Sequence, residues 1–303
     1  MSTVEATRTR ANEELMLKDA TSTATRSVCQ LGFWSAVLAT LFSAGYGITL
    51  IVMMISTLAT ETSSGWRGIE SFVASFSPIQ MLPLIPSLLL APTFIVLMVS
   101  IHYYAAPDKK IWSHLGITFT LVYAVMASIN YITQLTVVRL SILNKETDGL
   151  AMFVMGNSHS VFWALASSYA FMNLAMLFAA PVFDGGRLER VIRWLFFANG
   201  ASVVVTIFGI VVDSPPIYLL GSLVPWCVVF SLTTTLLTVL FRRASYNKCY
   251  RCNTIKTVQG RHESGLCFVS KIHHPGDDKK VGRDYPMNSS LERFAIKRRC
   301  YHG

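Results

Sequence analysis

The chain has 303 residues, 52% of them hydrophobic and only 14% charged, and its 26 Lys and Arg against 17 Asp and Glu leave a formal charge of +9. A mean hydropathy of +0.46 excludes an ordinary soluble domain, whose solvated surface would need more polar residues. No nucleic-acid recognition fold and no recurrent aromatic and basic pattern accompanies the positive charge, so no specific nucleic-acid partner is expected.

Six apolar runs, 31–58, 81–105, 114–142, 159–183, 194–212 and 219–241, each reach about the ~20 residues that a helix needs to cross a ~30 Å hydrocarbon core. The expected fold class is all-α: a polytopic integral membrane protein whose six-helix domain, 31–241, lies between a polar N-terminal tail, 1–30, and a basic C-terminal tail, 242–303. The first run is too long for the apolar core of a signal peptide, ~7 to 15 residues, and no small-residue cleavage pattern closes it. It is read as a retained span.

The basic residues are sorted unevenly among the gaps. Placing the N-terminus in the cytoplasm puts 23 of them on the inner side and only Arg67, Arg139 and Lys145 on the outer side. The positive-inside rule then predicts both termini in the cytoplasm, with the chain in the cell (cytoplasmic) membrane. Fourteen basic residues follow Phe241, more than orientation requires. The bilayer itself, and anionic lipid headgroups facing this tail, are the expected partners.

In the first run, Ser35, Ala39, Ser43 and Gly47 recur every four residues and set small side chains along one stripe, a helix-packing face. The outer segment 60–80 carries Trp66, Arg67, Glu70, Phe72 and Phe76, suited to a short amphipathic helix with Trp66 as an interfacial anchor. Pro83, Pro86 and Pro92, with Pro78 before them, predict a second helix that is bent in its outer half or broken around a cavity. Pro107, Asp108, Lys109 and Lys110 make a tight hairpin into the third helix. His102 and His114 flank it without other ligands at metal spacing, so hydrogen bonding is expected of them.

In the third helix Tyr123, Ala127, Asn130 and Gln134 fall on one face. The stretch 150–157 is apolar but too short to span, a re-entrant or interfacial piece. The fourth helix opens with His159 and Trp163, so Asn130, Gln134, His159 and Trp163 form a candidate polar pocket open to the outside; the structural alternative makes the amides interhelical hydrogen-bond partners. Asn173 and Asn199 are expected to meet in the inner half. Asp184-Gly185-Gly186 stops the fourth helix, and Asp213-Ser214-Pro215-Pro216 joins the last two spans as a hairpin. An internal repeat finds only the echo of Phe33-Trp34 in Phe162-Trp163, which needs a gap.

In the tail, Cys249, Cys252, His262 and Cys267 supply four soft ligands for zinc, the one cofactor the sequence offers. The interval between the Cys pair and His262 departs from that of a zinc knuckle, and reduced thiols in a flexible basic tail are the competing reading. All 17 acidic residues lie in tails, loops or helix edges. Without a carboxylate at the centre of any span, ion-driven transport and membrane-embedded catalysis are both disfavoured, and the chain is not expected to be an enzyme. The expected function is that of a non-catalytic membrane component binding lipids or partners, either another membrane protein or a second copy of itself. The alternative is a transporter or channel for a small uncharged or lipophilic solute.

Overall fold

The structure is a computed structural model that describes residues 3–59 and 66–245, with side chains for 27–56, 66–214 and 216–245. These belong to the unit Met1–Thr254. Among the described residues every regular element is helical. Six helices are long and apolar enough to cross a membrane: α1 Ser27–Ser56, α2 Pro78–Tyr104, α3 Pro107–Asn144, α4 Val161–Val182, α5 Arg187–Val211 and α6 Pro216–Ser245. The boundaries differ from the apolar runs in consistent ways. α1 lies within a longer helix, Thr3–Ala59, so the polar N-terminal stretch is helical from Thr3 onward. α3 and α5 each begin about two turns early, because Lys109, Lys110 and the arginines Arg187, Arg190 and Arg193 wind into first turns instead of remaining in loops. Hydropathy misses such turns because charged residues are good helix formers.

Consecutive helices pack on one another in chain order, and α6 returns to α1. At one end Tyr104 Oη donates to Glu189 Oε1 at 2.8 Å, and Lys109 lies 3.7 Å from Asp184. Glu189 Oε2 also accepts the Gly185 N–H at 3.0 Å, satisfying an orphan donor where α5 starts. This is the basic end of the bundle. The far end carries the short helix Ile69–Ala74, the irregular segment 145–160 and the turn 212–214.

Three of the four prolines near α2 sit where a helix needs no N–H: Pro78 opens a 3₁₀ turn, Pro83 precedes Leu84–Tyr104, and Pro86 lies in its first turn. Only Pro92 is interior, so α2 is continuous from Leu84 rather than broken. Ser87 and Thr93 hydroxyls return hydrogen bonds to the Pro83 and Leu89 carbonyls, each at 2.8 Å. α6 bears the sharper distortion, a π turn at Pro225–Phe230. Pro225 has no N–H to donate, and in an α-helix its ring would strike the Gly221 carbonyl; the wider turn relieves both.

Close approach at small residues holds the bundle together. A Cβ on Gly209 would lie 2.3 Å from the Tyr218 nitrogen, one on Gly221 2.5 Å from the Thr206 nitrogen, and one on Gly200 2.5 Å from Leu177 Cβ. α5 and α6 therefore touch backbone to backbone, as small-residue interfaces between apolar helices allow. On α1, Ser35, Ala39 and Ser43 are buried, and Ser43 Oγ pairs with Ser231 Oγ at 2.7 Å on α6. The stripe expected to run on to Gly47 ends one turn early. No atom of the described residues lies within 4 Å of a Cβ at Gly47, and none of residues 44–56 is buried; beyond Ser43 the contact of α1 with the bundle thins to Gly45 facing Pro86 and Tyr46 against Trp226.

Gly209→Leu should force α5 and α6 apart and lower stability by about 1–3 kcal/mol or more. Gly47→Leu, in open space, should change it by less than about 0.5 kcal/mol. Unfolding midpoints of the two variants in detergent check this pair, and equal midpoints would contradict the packing.

Candidate functional site

The far end of the bundle is organised by an irregular segment. Leu150 and Val154 are buried and anchor it, and its backbone carbonyls lack the regular partners a helix would supply. Side chains take their place. Gln134 Nε2 donates to the Phe153 carbonyl at 2.6 Å, Asn130 Nδ2 to the Phe162 carbonyl at 3.2 Å, and Trp163 Nε1 to the Met155 carbonyl at 3.0 Å. Asn157 Nδ2 closes the segment on itself through the Ala151 carbonyl at 2.9 Å.

These contacts rearrange the polar pocket expected from the sequence. The face of α3 bearing Tyr123, Ala127, Asn130 and Gln134 is buried throughout. Asn130 and Gln134 border neither of the two cavities described below; Gln134 ties the irregular segment to α3 through Phe153, and Asn130 ties the first turn of α4 to it through Phe162. His159 stands apart from them. Its side chain is largely exposed, and its Nε2 lies 3.3 Å from Asp213 Oδ2 in the turn after α5, an ion pair when the imidazole is protonated. Asp213 reaches that position with a left-handed backbone, φ 49. Its N–H meets the Ile210 carbonyl and the Ser214 N–H meets the Gly209 carbonyl, the pattern that ends many helices with a glycine or asparagine. Of the four expected pocket residues, His159 and Trp163 border one cavity together, whereas Asn130 and Gln134 lie apart from it, their amide nitrogens bonded to backbone carbonyls and their amide oxygens buried without a partner among the described residues.

Asn173 and Asn199 do meet. Asn199 Nδ2 donates to Asn173 Oδ1 at 3.0 Å and lies 3.0 Å from Met176 Sδ, with both amides buried. Cys249, Cys252, His262 and Cys267 lie outside the described residues. Within the described residues no group of three or more His, Cys, Asp or Glu could hold a metal ion.

Two cavities occupy the far end. The polar one, about 470 Å³, lies between the start of α4 and the turn joining α5 to α6 and is bordered by Ser158, His159, Ser160, Ser167, Asp213 and Ser214. The other, about 350 Å³, lies in the wedge where α1 departs from the bundle, and its wall is aromatic: Tyr46, Tyr131, Phe162, Trp163, Tyr169, Tyr218 and Trp226. Leu50, Met53 and Met54 of α1 face it across the wedge, and Gln80 and Pro83 border it from the start of α2. Its volume falls within the roughly 300–1,000 Å³ of small-molecule sites.

Trp163 and Tyr218 line both cavities and form the partition between them, their rings edge to face at 5.6 Å. Trp163 is held by its bond to Met155, and Tyr218 by a 2.7 Å bond from its hydroxyl to the Ala166 carbonyl. In the aromatic wall, Trp226 stacks between Tyr46, at 3.9 Å between ring centres, and Tyr169, at 4.7 Å. Tyr131 and Tyr169 bond through their hydroxyls. The sequence reading overlooked this wall. Tyr46, Tyr169, Tyr218 and Trp226 are dispersed over three helices, and the one signal available was an unusual number of aromatic residues away from the ends of the runs, where membrane-interface anchors belong.

Gln134→Leu should lower stability by about 1 kcal/mol by leaving the Phe153 carbonyl unpaired, whereas His159→Ala should change it by less than about 0.5 kcal/mol. Thermal unfolding of both variants in detergent distinguishes a structural role for the amides from the exposed role of the imidazole. Family models, curated proteins and solved structures were each compared with this chain and none matches, so the site is interpreted from its own residues.

Proposed function

We propose that this chain is a non-catalytic, multi-pass component of the cell membrane that binds a lipid or similar lipophilic molecule in the aromatic cavity beside α1. The observation that carries this reading is the cavity itself: about 350 Å³, walled by seven aromatic side chains and bordered on the α1 side by Tyr46 and the flexible Leu50, Met53 and Met54. A molecule entering there removes apolar and aromatic surface from any competing solvent, at about 25 cal/mol per Å² buried. Methionine adapts to occupants of different shape.

The membrane setting rests on the six apolar helices together with the distribution of charge. The basic end of the bundle, with Lys109, Lys110, Arg187, Arg190 and Arg193, faces the cytoplasm, as does the tail after Phe241, whose basic residues meet anionic headgroups. The aromatic cavity then lies in the outer half of the bilayer.

Orientation is tested by thiol labelling. A membrane-impermeant maleimide should modify Lys145→Cys in intact cells and Cys267 only after permeabilisation; the reverse order would place the chain the other way round. Binding is tested in vesicles with an aliphatic diazirine probe. Labelling of peptides containing Met53 and Leu223 should saturate, yield to excess unlabelled lipophile, and disappear in Leu223→Trp, which fills the cavity. Labelling that never saturates, or that survives the filling substitution, would remove the cavity as a binding site.

A further inference from the structure

Resting on the reading of the aromatic cavity as a lipophile site, we infer that its occupant is an uncharged lipid carrying at least one hydroxyl group, and that Trp226 and Gln80 recognise that hydroxyl-bearing end.

The cavity excludes charge. Among the described residues no Asp, Glu, Lys, Arg or His borders it. A carboxylate, phosphate or ammonium buried there would lack a counter-ion, and an isolated charge in an apolar site is far more costly than a neutral polar group. Fatty acids, phospholipid headgroups and cationic amphiphiles are therefore poor occupants.

The cavity is nonetheless not purely apolar, and most of its hydrogen-bonding groups have partners. The hydroxyls of Tyr131 and Tyr169 bond to each other, that of Tyr218 to the Ala166 carbonyl, and that of Ser222 to the Tyr218 carbonyl. Two residues that line it each carry a buried polar atom with no partner among the described residues: Trp226 Nε1 and Gln80 Oε1. Trp226 is 2% exposed, and its indole nitrogen can only donate. Gln80 Nε2 already donates to the Ser75 carbonyl at 3.3 Å, which identifies the other amide atom as the oxygen and leaves it able only to accept. A buried donor or acceptor left unpaired costs roughly as much as a lost hydrogen bond, so these two atoms select an occupant that supplies the complements.

An occupant that pairs with both atoms therefore supplies one acceptor and one donor. A hydrocarbon offers neither, and an ether, ketone or ester only accepts, so it can satisfy Trp226 but not Gln80. A hydroxyl both accepts and donates without carrying charge, and an alcohol or glycerol-type lipid brings it on an apolar chain that the aromatic wall and α1 can hold. The same two atoms explain why an aromatic wall otherwise suited to any apolar molecule would discriminate among neutral lipids: the difference between analogues that do and do not make a buried hydrogen bond exceeds the difference made by a methylene.

The test uses the full-length protein in phosphatidylcholine vesicles, photolabelled with the aliphatic diazirine probe and challenged with hexadecanol, hexadecane, hexadecanoic acid or hexadecylamine at equal mole fraction. Hexadecanol should displace the probe at about tenfold lower mole fraction than the other three. Trp226→Phe, which keeps an aromatic ring, and Gln80→Leu, at the edge of the bundle, should each reduce the advantage of hexadecanol over hexadecane about fivefold. The inference is overturned if the acid or amine competes as well as the alcohol, if hexadecane equals hexadecanol because water fills the polar end, or if neither substitution alters the preference. In each of those cases saturable labelling persists and the cavity remains a lipophile site. Absence of saturable labelling with every competitor would instead remove the cavity reading and this inference with it.

Discussion

The backbone contact between α5 and α6 is the constraint from which the far end of the molecule follows. Gly209 lets the Tyr218 nitrogen approach to a distance that no side chain would tolerate, and Gly221 does the same for Thr206 one turn further on. With the axes this close, Tyr218 is carried inward until its hydroxyl reaches the Ala166 carbonyl of α4 and its ring meets Trp163. The partition between the polar and aromatic cavities thus follows from two glycines. The π turn beginning at Pro225 sits directly after this contact, and Trp226 follows it into the stack between Tyr46 and Tyr169.

A second consequence concerns α1. Its small residues Ser35, Ala39 and Ser43 draw it against α6, but beyond Ser43 the larger Tyr46, Leu50 and Met53 hold it off. The wedge left between α1 and the bundle is walled by aromatic rings, and the polar groups around it are nearly all spent on one another. Apolar helices satisfy their own backbones, so what makes one such wedge chemically distinct from another is the few side-chain atoms left over. Here those atoms are an indole N–H and an amide oxygen.

Much of this was legible in the sequence and some of it was not, for reasons that differ by residue. The burial of the α3 face bearing Asn130 and Gln134 follows from helical spacing alone. Their partners do not, because they are backbone carbonyls of the 150–162 segment, and a carbonyl has no side-chain signature to mark it as unpaired. Two asparagines, Asn173 and Asn199, could be paired in advance because a short turn joins their helices and equal depth brings them level. His159 and Gln134 also share a level, yet the irregular segment turns His159 outward to Asp213. The prolines of α2 allowed either a bend or a break, and the helix is continuous from Leu84, since three of them occupy positions where a helix has no N–H to lose.

By itself the sequence determined the number and apolar character of the six helices, because these are local properties: enough consecutive residues without charge. It also determined which helix faces are buried, through the spacing of small and polar residues. Only the tertiary structure decided where a cavity lies and what lines it. The aromatic wall is assembled from residues as far apart as Tyr46 and Trp226, and its location depends on how far α1 can follow the bundle before side-chain size pushes it away. That distance is a sum over packing contacts between helices, and no single stretch of the chain contains it.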